Sequence, residues 1–335
     1  MFPTSYALFL LLLCFLVTAC TSVSASLTPT GPDEMAPDIP TQISPQETQS
    51  LAETSNLESF DFPQDKSPIS STPSLPFTPT ANYTPTPDTR PLPRQWRTWP
   101  IAPTLNPNMI PVFLDGQAQG KNPYAFTTLG DCQSEPPVFL GIYSTDRYYL
   151  GAGYEYLQET IDFFARSDSF GRQSYCTQNG LSVASALSPA WADPDACETG
   201  ETPLACEIRI YQPGLMFINL GTNWSANATA SHEAYLRQIV DILLAEGIIP
   251  ILSTKGDNVE GDWSINQSIA QVAYDYDVPL WNFWAAIQHL PQHGLDPERP
   301  GGNYLIIEAW DRRSFTGLQV LDMIRQTLQP YHPEN

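Results

Sequence analysis

Apolar and polar positions divide this chain into three stretches with different periods. Residues 7–17 (ALFLLLLCFLV) form one unbroken apolar run. Residues 21–96 show neither a helical nor an alternating apolar period. From about residue 96 onward, short apolar runs of strand length alternate with longer runs of helical period. Residues 124–129 (YAFTTL) predict a first strand, and 154–165 (YEYLQETIDFFA) a helix. A second short strand is predicted near 172–176, and a buried strand over 215–220 (LMFINL). A helix over 231–246 is stopped by Gly247, and 248–252 (IIPIL) is the next strand. A helix over 266–276, a strand over 278–283 (VPLWNF) and a final helix over 316–328 complete the order. Strand and helix alternate throughout, which predicts an α/β domain with a parallel sheet and helices on both faces. Ligands of such sheets bind beyond the carboxyl ends of the strands.

The first two stretches are read through their chemistry. The run over 7–17 has the length of a signal-peptide core and is short for a bilayer span. It leads into Val17-Thr18-Ala19-Cys20, which resembles the lipobox of bacterial lipoproteins. By that resemblance residues 1–19 are a signal peptide, and Cys20 is the lipidated first residue of an exported chain anchored at the cell surface. Residues 21–96 hold 14 of the 33 prolines, with many Ser and Thr. That composition cannot bury enough apolar surface to offset ordering entropy. Residues 20–95 are therefore expected to be a disordered tether, partly polyproline II, and 96–335 the folded body.

Charge narrows the partners. The chain carries 36 acidic and 15 basic side chains, a net charge of −21. The tether accounts for −6 and the body for −15. Nucleic acid is excluded as a partner, because neutralising phosphates needs clustered Lys and Arg.

Three segments fall at predicted strand ends. They are TLGDCQS (128–134), QNGLS (178–182) and INLGTNW (218–224). In this order they resemble the SGNH (GDSL-type) hydrolases, which carry Gly-Asp-Ser after the first strand, a Gly in the second block and Gly-Thr-Asn-Asp in the third. The resemblance covers about 124–328 and implies a flavodoxin-like sheet. It also implies acyl-ester hydrolysis, which needs a nucleophile, a base and oxyanion donors but no cofactor. Carried over residue by residue, Cys132 occupies the nucleophile position. Its backbone N–H, that of Gly180 and the side-chain amide of Asn223 form the oxyanion hole. The implied ligand is a small-molecule, carbohydrate or lipid ester.

Two departures count against catalysis. The family nucleophile is Ser, and here it is Cys132. The family's last block is Asp-x-x-His, whereas here Asp296 is followed at that spacing by Arg299, and Asp311 by Ser314. Neither supplies an imidazole, and Arg keeps its proton. His289 and His293 lie upstream as candidates for a displaced base. The contrasting expectation is a catalytically inactive relative that binds a glycan or other ligand in the same cleft. A thiol-dependent acyl transferase with Cys132 as nucleophile is the third.

An exported body with four Cys predicts two disulfides. Cys197 and Cys206 bracket a short loop and predict a local staple. Cys132 and Cys176 remain, and their bonding would remove the nucleophile. Other candidates are Asp257, Glu260 and Asp262 as calcium oxygens, though their spacing matches no standard loop. Trp224 is expected to narrow the cleft. Trp281 to Trp284 is read as core or as a sugar platform. Arg312 and Arg313 are read as a solvated patch or an anion contact. No metal site is assigned.

Overall fold

The computed structural model describes residues 90–225 and 227–333. The proposed signal peptide, Cys20 and nearly all of the tether lie outside these residues. The described body begins before the expected boundary at 96. Residues Pro93–Thr98 form a 3-10 helix whose Trp96 is buried. Asn282 Nδ2 donates to the carbonyls of Trp96 and Trp99 at 2.8 and 3.0 Å.

In chain order the main elements are α1 (Met109–Ala118), β1 (Asn122–Gly130), α2 (Gln158–Ala165) and α3 (Pro203–Tyr211). They continue with β2 (Pro213–Asn219), α4 (Thr229–Ala245), β3 (Ile249–Ser253) and α5 (Ser264–Tyr276). β4 (Leu280–Trp281), α6 (Phe283–Ile287) and α7 (Ile307–Leu328) close the domain. The strands are all parallel, in the order β1-β2-β3-β4. Every residue of β2 and β3 is buried, so helices cover both faces, as expected for an α/β domain of this kind. Among the described residues no helix is long and apolar enough to cross a membrane.

The second strand expected over 172–176 is not formed. One parallel bridge, Gly130 to Thr177, marks its place on the free edge of β1. Side chains take the donors that a ladder would use: Glu207 accepts from Tyr175 N at 2.9 Å, and Ser174 Oγ from Cys176 N at 3.2 Å. Counting that bridge as a rudimentary strand gives the 2-1-3-4-5 order of flavodoxin-like sheets.

α1 was not expected from the sequence, and three further elements depart from expectation for local reasons. The strand read over 278–283 shrinks to two residues, because Asn282 accepts from Ala285 N and starts α6. The last helix begins at Ile307, nine residues before its apolar period becomes visible. α3 was not expected at all, although Thr202 caps it through Ala205 N and Pro203 stands at its first position.

Candidate functional site

The carboxyl end of β1 runs into Asp131 and a short 3-10 turn, Cys132–Ser134. Asp131 caps this turn by accepting from Gln133 N at 3.0 Å. Gly130 is needed here because a Cβ would lie 2.2 Å from the Ser134 hydroxyl. Beyond β2, Asn223 Nδ2 donates to Asp131 Oδ2 at 3.2 Å and approaches the Leu181 carbonyl at 3.5 Å. The structure thus brings the three segments together at one end of the sheet. Gly180 sits beside them at φ +80°, in the left-handed region, and an added Cβ would have only Trp191 nearby, at 3.8 Å. Backbone conformation rather than space calls for glycine there.

Asp131 is almost fully buried, at 4 % exposure. Burial raises its carboxyl from 3.8 to about 6, with Asp257 and Glu135 adding to the effect and the Arg313 charge and Gln133 N–H opposing it. Arg313 comes from α7 and is 6 % exposed. Its guanidinium packs over Phe139, Trp281 and Phe283. Burial lowers it to about 10, against the favourable charges of Asp131, Cys132 and Asp257. Arg313 is therefore not part of a solvated surface patch. Sequence reasoning gave no reason to bury it, because it sits in a polar run (WDRRS) that the folded helix turns inward. Arg312 stays half-buried and donates weakly to the Ala286 carbonyl at 3.4 Å.

Three of the four imidazoles are placed elsewhere, while the fourth, His232, lies beside Gly221 of the third segment. His293 is exposed and pairs its Nδ1 with the Gln288 carbonyl at 3.1 Å. His289 lines a groove of about 780 Å³ together with Tyr148, Tyr149, Trp310 and Phe315. His332 packs against Phe113, Tyr124 and Phe163, toward the start of β1. His232, which the sequence did not single out, is buried on α4 and shares a 3.2 Å hydrogen bond with Ser268. Burial, then the Lys255 charge, lowers it to about 4. Asp311 and Ser314 both lie inside α7, and Ser314 Oγ accepts from Leu140 N at 3.0 Å.

Cys197 and Cys206 are bonded, as their spacing predicts. The pairing of Cys132 with Cys176 is not formed. Cys176 turns inward toward Ser174 Oγ at 3.2 Å and the Thr128 carbonyl at 3.5 Å. Burial and then the Glu207 charge hold its thiol well above the usual range. Cys132 remains partly exposed at the strand end.

The acidic cluster is an ion-pair network. Lys255 Nζ meets Asp257 Oδ1 and Glu260 Oε2, each at 2.5 Å. Asp257 Oδ2 accepts from the Thr222 hydroxyl at 2.8 Å, and Asp262 caps Ser264 N at 2.9 Å. An ammonium thus holds the place the calcium reading gave to a metal. Near the staple, Glu201 lies close to Cys197 and Cys206, but those sulfurs are bonded to each other and Glu201 pairs with Arg209. Trp281 and Phe283 are core residues, which removes them as a sugar platform. Trp224 folds onto α4, donating to the Ala228 carbonyl at 2.6 Å and packing its ring on His232 and Tyr235.

Fold and site together define a parallel α/β domain with a cluster of polar residues at the carboxyl ends of its strands, around a chamber of about 20 Å³. No family model and no curated protein matches the chain. Solved structures similar to it are SGNH and GDSL-type hydrolases. A GDSL-like lipase from Bacteroides thetaiotaomicron is 15% identical, with 66% of this chain and 100% of that one covered and a TM-score of 0.37. A psychrotrophic esterase from Pseudoalteromonas is 16% identical over 61% of this chain and 98% of its own, at a TM-score of 0.37. A catalytic mutant of an acetylxylan esterase from Geobacillus stearothermophilus is 14% identical over 59% and 93%, at 0.36.

Proposed function

We propose that this chain is a non-hydrolytic relative of the SGNH-type esterases, tethered at the cell surface through Cys20, whose cleft binds a carbohydrate or lipid ester. The observation that carries this reading is Arg313. The charged partner facing Asp131 and Cys132 is a buried guanidinium that retains its proton. A serine-type triad needs an imidazole that takes a proton from the nucleophile and returns it to the leaving group. His293 pairs with the Gln288 carbonyl, His289 lines a separate groove, His332 packs toward the start of β1, and burial keeps His232 a weak base at about 4. In addition, the Asn223 amide is directed at Asp131, whereas an oxyanion donor must point where charge develops.

The partly exposed Cys132 sulfur, not bonded to Cys176, favours one second reading, thiol-dependent acyl transfer. A single comparison separates the two. Reduced full-length protein and Cys132→Ala are assayed for p-nitrophenyl acetate turnover and, by calorimetry, for binding of acetylated oligosaccharides. The binding reading expects equal, background turnover in both and saturable binding in both. Turnover lost on Cys132→Ala supports acyl transfer and overturns the first reading. No binding across neutral, acetylated and lipid-linked glycans sinks it as well. Mass spectrometry of the mature N-terminus tests the anchor, with a diacylglyceryl group on Cys20 as the expected result.

A further inference from the structure

Beneath the cleft, between the ends of β1, β2 and β3 and the start of α7, lies a polar chamber of about 20 Å³. Its walls include Asp131, Asn219, Thr222, Ser253, Lys255 and Arg313. All of these except the half-buried Thr222 are at least nine-tenths buried. Two of them are unsatisfied. Asn219 leaves both its amide nitrogen and its amide oxygen without a partner, and Arg313 leaves its Nε–H without one. Among the ion pairs of the described residues, none joins Arg313 to Asp131, although each feels the other's charge. A buried polar group left unpaired costs about 1–3 kcal/mol, and more when it is charged. Three such atoms around one chamber therefore point to a ligand within it.

We propose that this chamber is a binding site for one water molecule, which bridges Arg313 and Asn219 to Asp131. The size fits, since a single water needs roughly 10–15 Å³ of such space and two to four polar partners. The chemistry fits as well. A water accepts from the Arg313 Nε–H and the Asn219 amide N–H and donates to the Asp131 carboxylate. A halide is disfavoured. Lys255 is already neutralised by Asp257 and Glu260, so an anion would face three carboxylates against two cations. A metal cation is disfavoured by the guanidinium. The bridged pair ties the turn that carries Cys132 to α7, and through Asp131 it fixes the direction of the Asn223 amide.

The proposal is tested on the full chain in two ways. A crystal soaked in bromide should show a water-sized peak within about 3.2 Å of the Asn219 amide and Arg313 Nε, without anomalous signal. An anomalous peak there, an unfilled chamber, or Arg313 swung directly onto Asp131 overturns it. In solution, rotating-frame Overhauser cross-peaks should link water to the Asn219 side-chain amide protons and the Arg313 Nε–H of the wild type. Their absence overturns it without any variant. Asn219→Leu should abolish the Arg313 cross-peak and shift the Asp131 carboxyl titration upward, because the ionised form loses a donor. An unchanged titration in a folded variant also counts against the bridge.

Discussion

Two arginines of this domain each lie near a buried carboxylate; burial opposes the charge of both, yet their net shifts run in opposite directions. Arg172 makes two hydrogen bonds to Glu207, one of them at 3.0 Å, while Glu207 also accepts from Thr127 at 2.5 Å and Tyr175 N at 2.9 Å. Burial opposes the Arg172 charge, but the Glu207 bond and charge outweigh it, so its proton is held more tightly than usual. Among the described residues Arg313 makes one long hydrogen bond, Nη2 donating to Ser134 Oγ at 3.5 Å, beside its ring contacts, and desolvation wins. The same side chain is thus a satisfied structural strut at one edge of β1 and a strained charge at its carboxyl end. A buried charge held without direct partners costs stability, so its place at the cleft makes it a candidate for function.

The comparison breaks or sharpens by measurement. The largest effect is expected for Glu207→Gln, which strands Arg172 and should cost about 3–5 kcal/mol in urea unfolding. A loss below 1 kcal/mol would mean that the Arg172 pair is not the strut described. Next comes the pH dependence at Asp131. Its folded carboxyl titrates near 6 against an ordinary 3.8, so the folded state binds the proton more tightly. Its contribution is fully present below about pH 4 and is lost as pH rises through about 6, a decline of about 3 kcal/mol. Asp131→Asn should remove that slope, so that its stability relative to wild type improves between pH 4 and pH 7. Parallel stability curves for the two proteins would contradict a buried Asp131 carboxyl whose ionised form burial disfavours. The smallest effects form a matched pair. Thr127→Val loses a bond to a charged group and should cost about 1.5–3 kcal/mol, whereas Ser134→Ala loses a 3.5 Å contact and should cost less than about 1 kcal/mol. The reverse order, read from thermal melts, would erase the distinction between the two arginines.

Much of the framework was legible because it rests on local periodicity. The apolar runs that become β1, β2 and β3 are continuous, and the helices after β2 and β3 carry a clear stripe. Capping signals were present but less conspicuous: Thr202-Pro203 opens α3, and Asn282 ends β4. The strand expected near 172–176 failed for a reason no local pattern contains. Its backbone donors are claimed by Ser174 and by Glu207, which lies about thirty residues away in the chain.

The sequence by itself determined β1, β2, β3 and the helices that follow β2 and β3, the acidic balance of the body, the Cys197–Cys206 staple and the three segments that meet at the strand ends. Each follows from composition, spacing or a two-residue period. Only the tertiary structure decided that Cys132 and Cys176 stay apart, that Lys255 stands between Asp257 and Glu260, and that Arg313 turns inward to Asp131. Those outcomes depend on which distant side chains share one low-dielectric space, where pairing and desolvation outweigh local preference.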